Sequence, residues 1–252
     1  MIQFLLFLYG LIFGSFFNVV GLRVPVKQSI VAPRSACPFC GRQLKVYELI
    51  PVISFLLQGG KCRGCKARIS PLYPIVELLT GVLFAVAPVF VGWSQELIVA
   101  WTLISLLMII FVSDLRYMLI PDKILLIFSG IFLLERIVIP LTPWRDSLFG
   151  AATGFLLLLA IALISKGGMG GGDIKLFAVI GFVLGVKLVV LSFFLSALYG
   201  AIFGIAALLL KIVKRRQPIP FGPFIVAGTI SAYFWGSTLI ALYFHFLEHG
   251  FS

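Results

Sequence analysis

Apolar residues run through this chain in long stretches near 2–22, 72–91, 97–113, 124–140, 148–165, 174–188, 189–210 and 221–244, with polar residues gathered between them. About 20 apolar residues in a helix match the ~30 Å hydrocarbon core of a bilayer, so the pattern predicts eight transmembrane helices. Spans six and seven form one continuous run, divided here near Gly185 and Lys187. The first span has no basic residue before it and no small-residue cleavage motif after it, and reads as a retained anchor rather than a signal peptide.

Composition supports that reading. The 252 residues are 61% hydrophobic and 12% charged, and mean hydropathy is +1.16. A soluble domain of this length has too much surface for that balance, so the expected fold class is an all-α polytopic membrane protein. The basic residues then set its orientation. Between spans one and two lie Arg23, Lys27, Arg34, Arg42, Lys45, Lys61, Arg63, Lys66 and Arg68. Every second loop after that is basic too: Arg116 and Lys123, then Lys166 and Lys175, then Lys211, Lys214, Arg215 and Arg216. Only Arg136, Arg145 and Lys187 fall on the other side, 17 against 3. The positive-inside rule makes the basic loops cytoplasmic and puts both termini outside. The net charge of +11 is thereby explained without nucleic acid, and attraction to anionic lipid headgroups follows from it.

All four cysteines sit in that first cytoplasmic segment, as "CPFC" at 37–40 and "CRGC" at 62–65. Two C-x-x-C pairs at this separation match a four-cysteine zinc site, with Cys37, Cys40, Cys62 and Cys65 as ligands. A reducing compartment disfavours disulfides there. Four thiolates leave no open coordination position, so the metal's role is structural: it clips a segment of about 50 residues that is too small to build a large core. The expected organisation is a first helix (1–22), a zinc-binding segment (23–71) and a seven-helix core (72–252).

Of the nine acidic residues, two stand where spans meet the cytoplasmic face. Asp114 closes "LISLLMIIFVSD", and Asp173 follows the glycines of "KGGMGGGDIK". Each alone could be an interfacial cap, and Asp173 is a good N-cap candidate. Together, on one side of the membrane, they predict a facing pair. Two carboxylates sharing a site hold one proton between them, supplying a base to activate water and an acid to protonate the leaving group. A glycine loop lets an extended substrate backbone approach closely. Glu135 is expected to pair locally with Arg136 or to snorkel outward, Asp146 and Glu248 sit in outside loops or tail, and Glu96 flanks a span. The only histidines, His245 and His249, are in the C-terminal tail, so no Ser-His or Cys-His nucleophile can be built on the cytoplasmic face. The glycine stretch lacks the Lys-Ser/Thr of a phosphate loop and a surrounding βαβ unit, which excludes a nucleotide loop.

With these residues in place, the chain resembles the bacterial type IV prepilin peptidases, a family of G-x-G-D intramembrane aspartyl proteases. The resemblance rests on "GSFFNVVGLRVP" at 14–25, the paired "CPFC" and "CRGC", "SPLYPIVELLTG" at 70–81, "SDLRYMLIPD" at 113–122 and "GGMGGGDIK". It implies that Asp114 and Asp173 are the catalytic pair. Asp122, in "IPD", also fits the pattern, but it follows Pro121 and is expected to start the next helix. The resemblance further implies a protein of the bacterial inner membrane that removes the basic leader from type IV prepilins and pseudopilins on the cytoplasmic side. It also implies methylation of the new N-terminus with S-adenosylmethionine, for which no residue independently reads as a donor site. Gly170 and Gly172 would flank the substrate. Lys175 would pair with the acidic residue that substrates of the family carry after the cleavage site, since a basic leader gains nothing from so basic a face. Glu77 is a candidate polar contact, or else a charge in a first helical turn. Two other functions fit the bare residues: a membrane thiol oxidoreductase using the two dithiols, and a non-enzymatic zinc-clipped assembly factor or transporter.

Overall fold

The computed structural model of the chain describes residues 1–165, 169–212 and 219–249. The glycines at 167 and 168 and the basic residues Lys166, Lys214, Arg215 and Arg216, used above for orientation, lie outside the described residues. Eight α-helices are named in order: α1 (Ile2–Arg23), α2 (Ile53–Leu57), α3 (Leu72–Val91), α4 (Glu96–Tyr117), α5 (Asp122–Val138), α6 (Arg145–Ile164), α7 (Gly171–Leu209) and α8 (Gly222–His249). Among the described residues, extended pairing is limited to isolated bridges between Ala36 and Gln43 and between Lys61 and Arg68. The protein is a nearly all-helical, multi-pass membrane protein. Six of the helices (α1, α3, α4, α6, α7 and α8) are long and apolar enough to cross a bilayer.

The difference between six helices and eight predicted spans has two sources. α5 has 17 residues, about 25 Å of helix, slightly under the hydrocarbon thickness. α7, with 39 residues, contains Gly185 at φ 78°, a conformation outside the helical range that only glycine adopts freely. The chain folds back there. In a straight helix residues 177 and 193 would lie about 24 Å apart, yet the Phe177 and Phe193 rings are 5.9 Å apart. Residues 171–184 and 186–209 are therefore two antiparallel arms, and the division expected near Gly185 is where the turn occurs. The turn frees backbone groups that side chains must satisfy. Arg136 donates to the Val183 carbonyl at 2.6 Å, and Asp146 accepts from the Val186 N–H at 3.3 Å.

Small residues bring the helices together. An added Cβ on Gly150 would lie 2.1 Å from the Gly181 carbonyl oxygen, and one on Gly154 would lie 2.2 Å from that of Phe177. Similarly, Gly10 abuts Gly81 and Gly14 abuts the Glu77 backbone, at 2.7 and 2.8 Å from the added carbon. These are G-x-x-x-G pairs at 10/14 and 150/154, the spacing that lets membrane helices pack backbone to backbone. α4 is the most enclosed span, with Val99, Leu103, Leu106, Leu107 and Ile110 in the core.

At the end of the bundle bearing the α7 turn, Arg136 forms a bidentate pair with Glu96 of α4 at 2.7 and 2.8 Å. Tyr233 of α8 also donates to Glu96. The local Glu135–Arg136 pair, one of the two alternatives the sequence left open, does not form; Glu135 instead accepts from Thr102 at 2.6 Å. Glu135 and Arg136 are adjacent on one helix and point in different directions, so a partner on α4 is the better reach. The opposite end gathers the end of α1, the starts of α3, α5, α7 and α8, and the end of α4.

Candidate active site and metal centre

Asp114 lies in the last turn of α4, 6% exposed. The helix closes one turn later at Met118, in left-handed conformation. The loop that follows is held by a hydrogen bond from the Ser113 hydroxyl to the Leu119 carbonyl. This loop carries Ile120 onto the start of α7, where an added Cβ on Gly172 would come 2.9 Å from the Ile120 Cβ. That close approach sets Asp114 and Asp173 in one cleft of about 420 Å³, lined also by Leu119, Asp122, Gly170 and Lys175.

Asp173 is the third residue of α7, and its carboxylate accepts the Gly170 N–H at 3.2 Å. It thus caps the helix from inside its first turn rather than from the N-cap position. Asp122 starts α5 directly after Pro121, as expected. It forms an ion pair with Lys175 at 2.8 Å, with both side chains more than half exposed. Lys175 is therefore already engaged at the rim of the cleft.

One residue at this site was not anticipated. The Gly222 N–H, at the start of α8, donates to Asp114 Oδ2 at 2.6 Å. An added Cβ on Gly222 would lie 2.6 Å from that same oxygen, so only glycine lets the helix end approach the carboxylate this closely. The signal available in the sequence was Gly222-Pro223 at the head of the last apolar run, a helix-start pattern. Glu77 is buried on α3 and accepts from the Val52 N–H at 2.7 Å, away from the aspartate cleft's lining residues.

The four cysteine sulfurs lie within 4.8 Å of one another. A tetrahedral metal with ~2.3 Å thiolate bonds requires sulfurs about 3.8 Å apart, and Cys37 and Cys65 are separated by 3.8 Å. The donor set fits one metal ion. The two knuckles repeat one geometry: Cys37 N–H donates to the Arg42 carbonyl at 2.9 Å, and Cys62 N–H to that of Ala67 at 2.8 Å. Backbone N–H groups of Cys40 and Phe39 lower the Cys37 thiol below its ordinary value, and those of Cys65 and Gly64 bring Cys62 down to about 6, favouring the thiolate. Beside them, Glu48 takes a bidentate pair from Arg42 at 2.6 and 3.1 Å, with the Lys45 N–H at 2.9 Å. Arg42 and that N–H hold the Glu48 carboxyl down to about 2.

The sequence matches the Bacterial Peptidase A24 N-terminal domain over residues 8–91 and the Type IV leader peptidase family over residues 101–205. A Bacillus subtilis protein named prepilin leader peptidase/N-methyltransferase is 53% identical over 239 residues, 95% of this chain and 96% of that one. The chain belongs to the type IV leader peptidase family. Proteins of the same name from Aeromonas hydrophila and Pseudomonas aeruginosa are 35% and 33% identical, each covering 95% of this chain and 92% of its own length. No solved structure matches. The two matched family segments divide the site. The first contains all four cysteines, and the second contains Asp114, Asp122 and Asp173 but ends before Gly222.

Proposed function

We propose that this protein is a prepilin leader peptidase of the bacterial inner membrane that cleaves type IV prepilins and pseudopilins at the cytoplasmic face, with Asp114 and Asp173 as the catalytic pair. The observation that carries this reading is the convergence of these two carboxylates, from helices 59 positions apart in sequence, on one glycine-walled cleft of a chain in this family. One carboxylate takes a proton from water as its oxygen attacks the scissile carbonyl. The other gives a proton to the departing amine, and the two exchange these roles over the cycle. The Gly222 N–H holds one oxygen of Asp114 and so orients the carboxylate toward the cleft. Gly170 and Gly172 leave backbone room for an extended substrate. Asp122 serves the rim as the partner of Lys175, and an acidic substrate side chain would exchange with Asp122 for that lysine.

The same protein N-methylates the new terminus, with S-adenosylmethionine as the second substrate, as the names of its relatives suggest. Zinc is the metal that fits four cysteines in a reducing compartment, and it would hold the two knuckles together. The basic loops support a cleft and a cysteine segment on the cytoplasmic side, with both termini outside. The segment 23–71 then acts as a zinc-clipped unit beside the seven-helix core of 72–252, in contact with anionic lipid and with no role for nucleic acid.

The test is mass spectrometry of a prepilin incubated with purified protein and S-adenosylmethionine, beside Asp114→Asn, Asp122→Asn and Asp173→Asn. Leader loss should vanish with Asp114→Asn and Asp173→Asn and persist with Asp122→Asn, and the wild-type product should gain one methyl mass. Cleavage surviving in both variants of the pair would sink the assignment and favour the thiol or scaffold readings.

A further inference from the structure

The stretch between the two C-x-x-C pairs carries apolar side chains that the protein does not cover. Leu49, Ile50, Ile53, Leu56 and Leu57 are all exposed, the last two at 68% and 76%. They occupy a short stretch around α2, bounded by Glu48 on one side and by Gly59 and Gly60 on the other. Such a cluster on an aqueous loop would be an aggregation liability.

Its depth is set by one hydrogen bond. The Val52 N–H reaches the Glu77 carboxylate at 2.7 Å, and Glu77 is five residues inside α3, about 8 Å along its axis. Glu77 also packs against α1, where an added Cβ on Gly14 would lie 2.8 Å from the Glu77 Cα, nine residues or about 13 Å from the end of that helix at Arg23. Both helices are membrane spans by length and composition. Because the Glu77 side chain leans toward the start of α3, the bonded backbone at 52 sits near the level where that span begins, the boundary at which interfacial segments bury their apolar faces.

At that depth irregular backbone is tolerated only where the protein satisfies it. Most of this stretch meets the condition. Beyond the Val52 bond, the N–H groups of Ile53, Ser54, Leu56, Gln58, Gly59 and Gly60 donate to the carbonyls of Pro51, Ile50, Val52, Ser54, Leu56 and Phe55. The rim has the composition of a headgroup contact: Tyr47 lies under Lys45 and Arg63, whose cationic groups are 5.9 and 5.1 Å from its ring centre, and tyrosine and basic residues gather at membrane–water interfaces.

We propose that residues 49–60 form a re-entrant wedge seated in the headgroup–acyl boundary of the lipid bilayer, with the buried Glu77 carboxylate as its internal anchor. The occupant of the apolar face is phospholipid, continuous with the lipid around α1 and α3. The wedge fixes the height of the cysteine segment relative to the spans, independently of any peptidase or methyltransferase chemistry.

The experiment uses the full-length protein with a benzoylphenylalanine photoprobe at Leu56 or Leu57, reconstituted alone into vesicles containing radiolabelled phosphatidylglycerol. A probe at Phe203, exposed on the 186–209 arm of α7, reports ordinary lipid contact and correct insertion. Illumination should produce labelled-lipid adducts from both wedge positions at a level comparable to Phe203, and Glu77→Ala should reduce the Leu57 adduct while leaving that of Phe203 unchanged. Absence of lipid adducts at both wedge positions while Phe203 reacts, or a cross-linked dimer in their place, overturns the proposal.

Discussion

Replacing Gly222 by alanine tests the aspartate cleft most sharply, because it leaves both carboxylates in the sequence. The new methyl carbon would lie 2.6 Å from Asp114 Oδ2, 2.7 Å from its Cβ and 2.8 Å from its Cγ, where ordinary contact begins at 3.4 Å. Rotating the carboxylate does not relieve this, since the Asp114 Cβ is itself in the way. The start of α8 or the end of α4 must move by roughly 0.8 Å, and the 2.6 Å hydrogen bond from Gly222 N–H is lost or lengthened. A hydrogen bond to a charged group contributes ~1.5–3 kcal/mol, and each ~1.4 kcal/mol is tenfold in rate. The expected fall in kcat/KM is thus about 10- to 150-fold, in line with the cost of misplacing a catalytic group by ~1 Å. The assay is prepilin cleavage by reconstituted protein, with thermal unfolding followed in parallel. Gly130→Ala is the paired control: it lies on α5 outside the cleft, and its added Cβ meets nothing within 4 Å, so its rate should stay within about threefold of wild type. Wild-type kcat/KM in a folded Gly222→Ala protein would refute the argument, as would an equal loss in Gly130→Ala.

Other consequences follow from the same geometry. Elemental analysis should find one zinc per chain in wild type and a large loss in Cys62→Ser; full metal content in that variant would remove the four-sulfur centre. Glu48 is held near 2, below its ordinary value of ~4.3, so its contribution to the cysteine segment is complete above pH ~4.3 and is lost as pH falls toward 2. Proteolysis of that segment should accordingly be unchanged in wild type between about pH 7 and pH 5 but faster in Glu48→Gln throughout; equal rates in the two proteins would deny the pair a role. Gly150→Leu should unfold the α6–α7 contact, because even a Cβ there lies 2.1 Å from the Gly181 carbonyl oxygen; an unchanged Tm would contradict the packing. Lys175→Ala should change the cleavage ratio between a normal prepilin and one lacking its acidic residue, whereas an unaltered ratio would leave Lys175 only as the partner of Asp122.

What the sequence determined by itself is what depends on local composition and on one-dimensional spacing. Apolar run length decides whether a helix can span a bilayer, so the membrane class and the run boundaries were legible, including the break at Gly185. C-x-x-C spacing confines two sulfurs to one knuckle, and the two knuckles could be assigned to one metal because few other arrangements satisfy four nearby thiolates. The G-x-x-x-G pairs at 10/14 and 150/154 were equally present as signals, but which helix each would meet could not be read from them.

Tertiary structure alone decided the partners. Arg136 has Glu135 beside it in sequence and pairs with Glu96 across the bundle, because helix geometry points neighbouring side chains apart. Gly222 reaches Asp114 over 108 positions, a contact set by how α8 enters against α4 and by the absence of a side chain at its first residue. Glu77 was legible as a candidate polar contact, but its partner was not: only the fold brings the Val52 N–H to it. The physical reason is common to all three. A hydrogen bond or close contact depends on positions within tenths of an ångström, and only the packing of whole helices sets those positions.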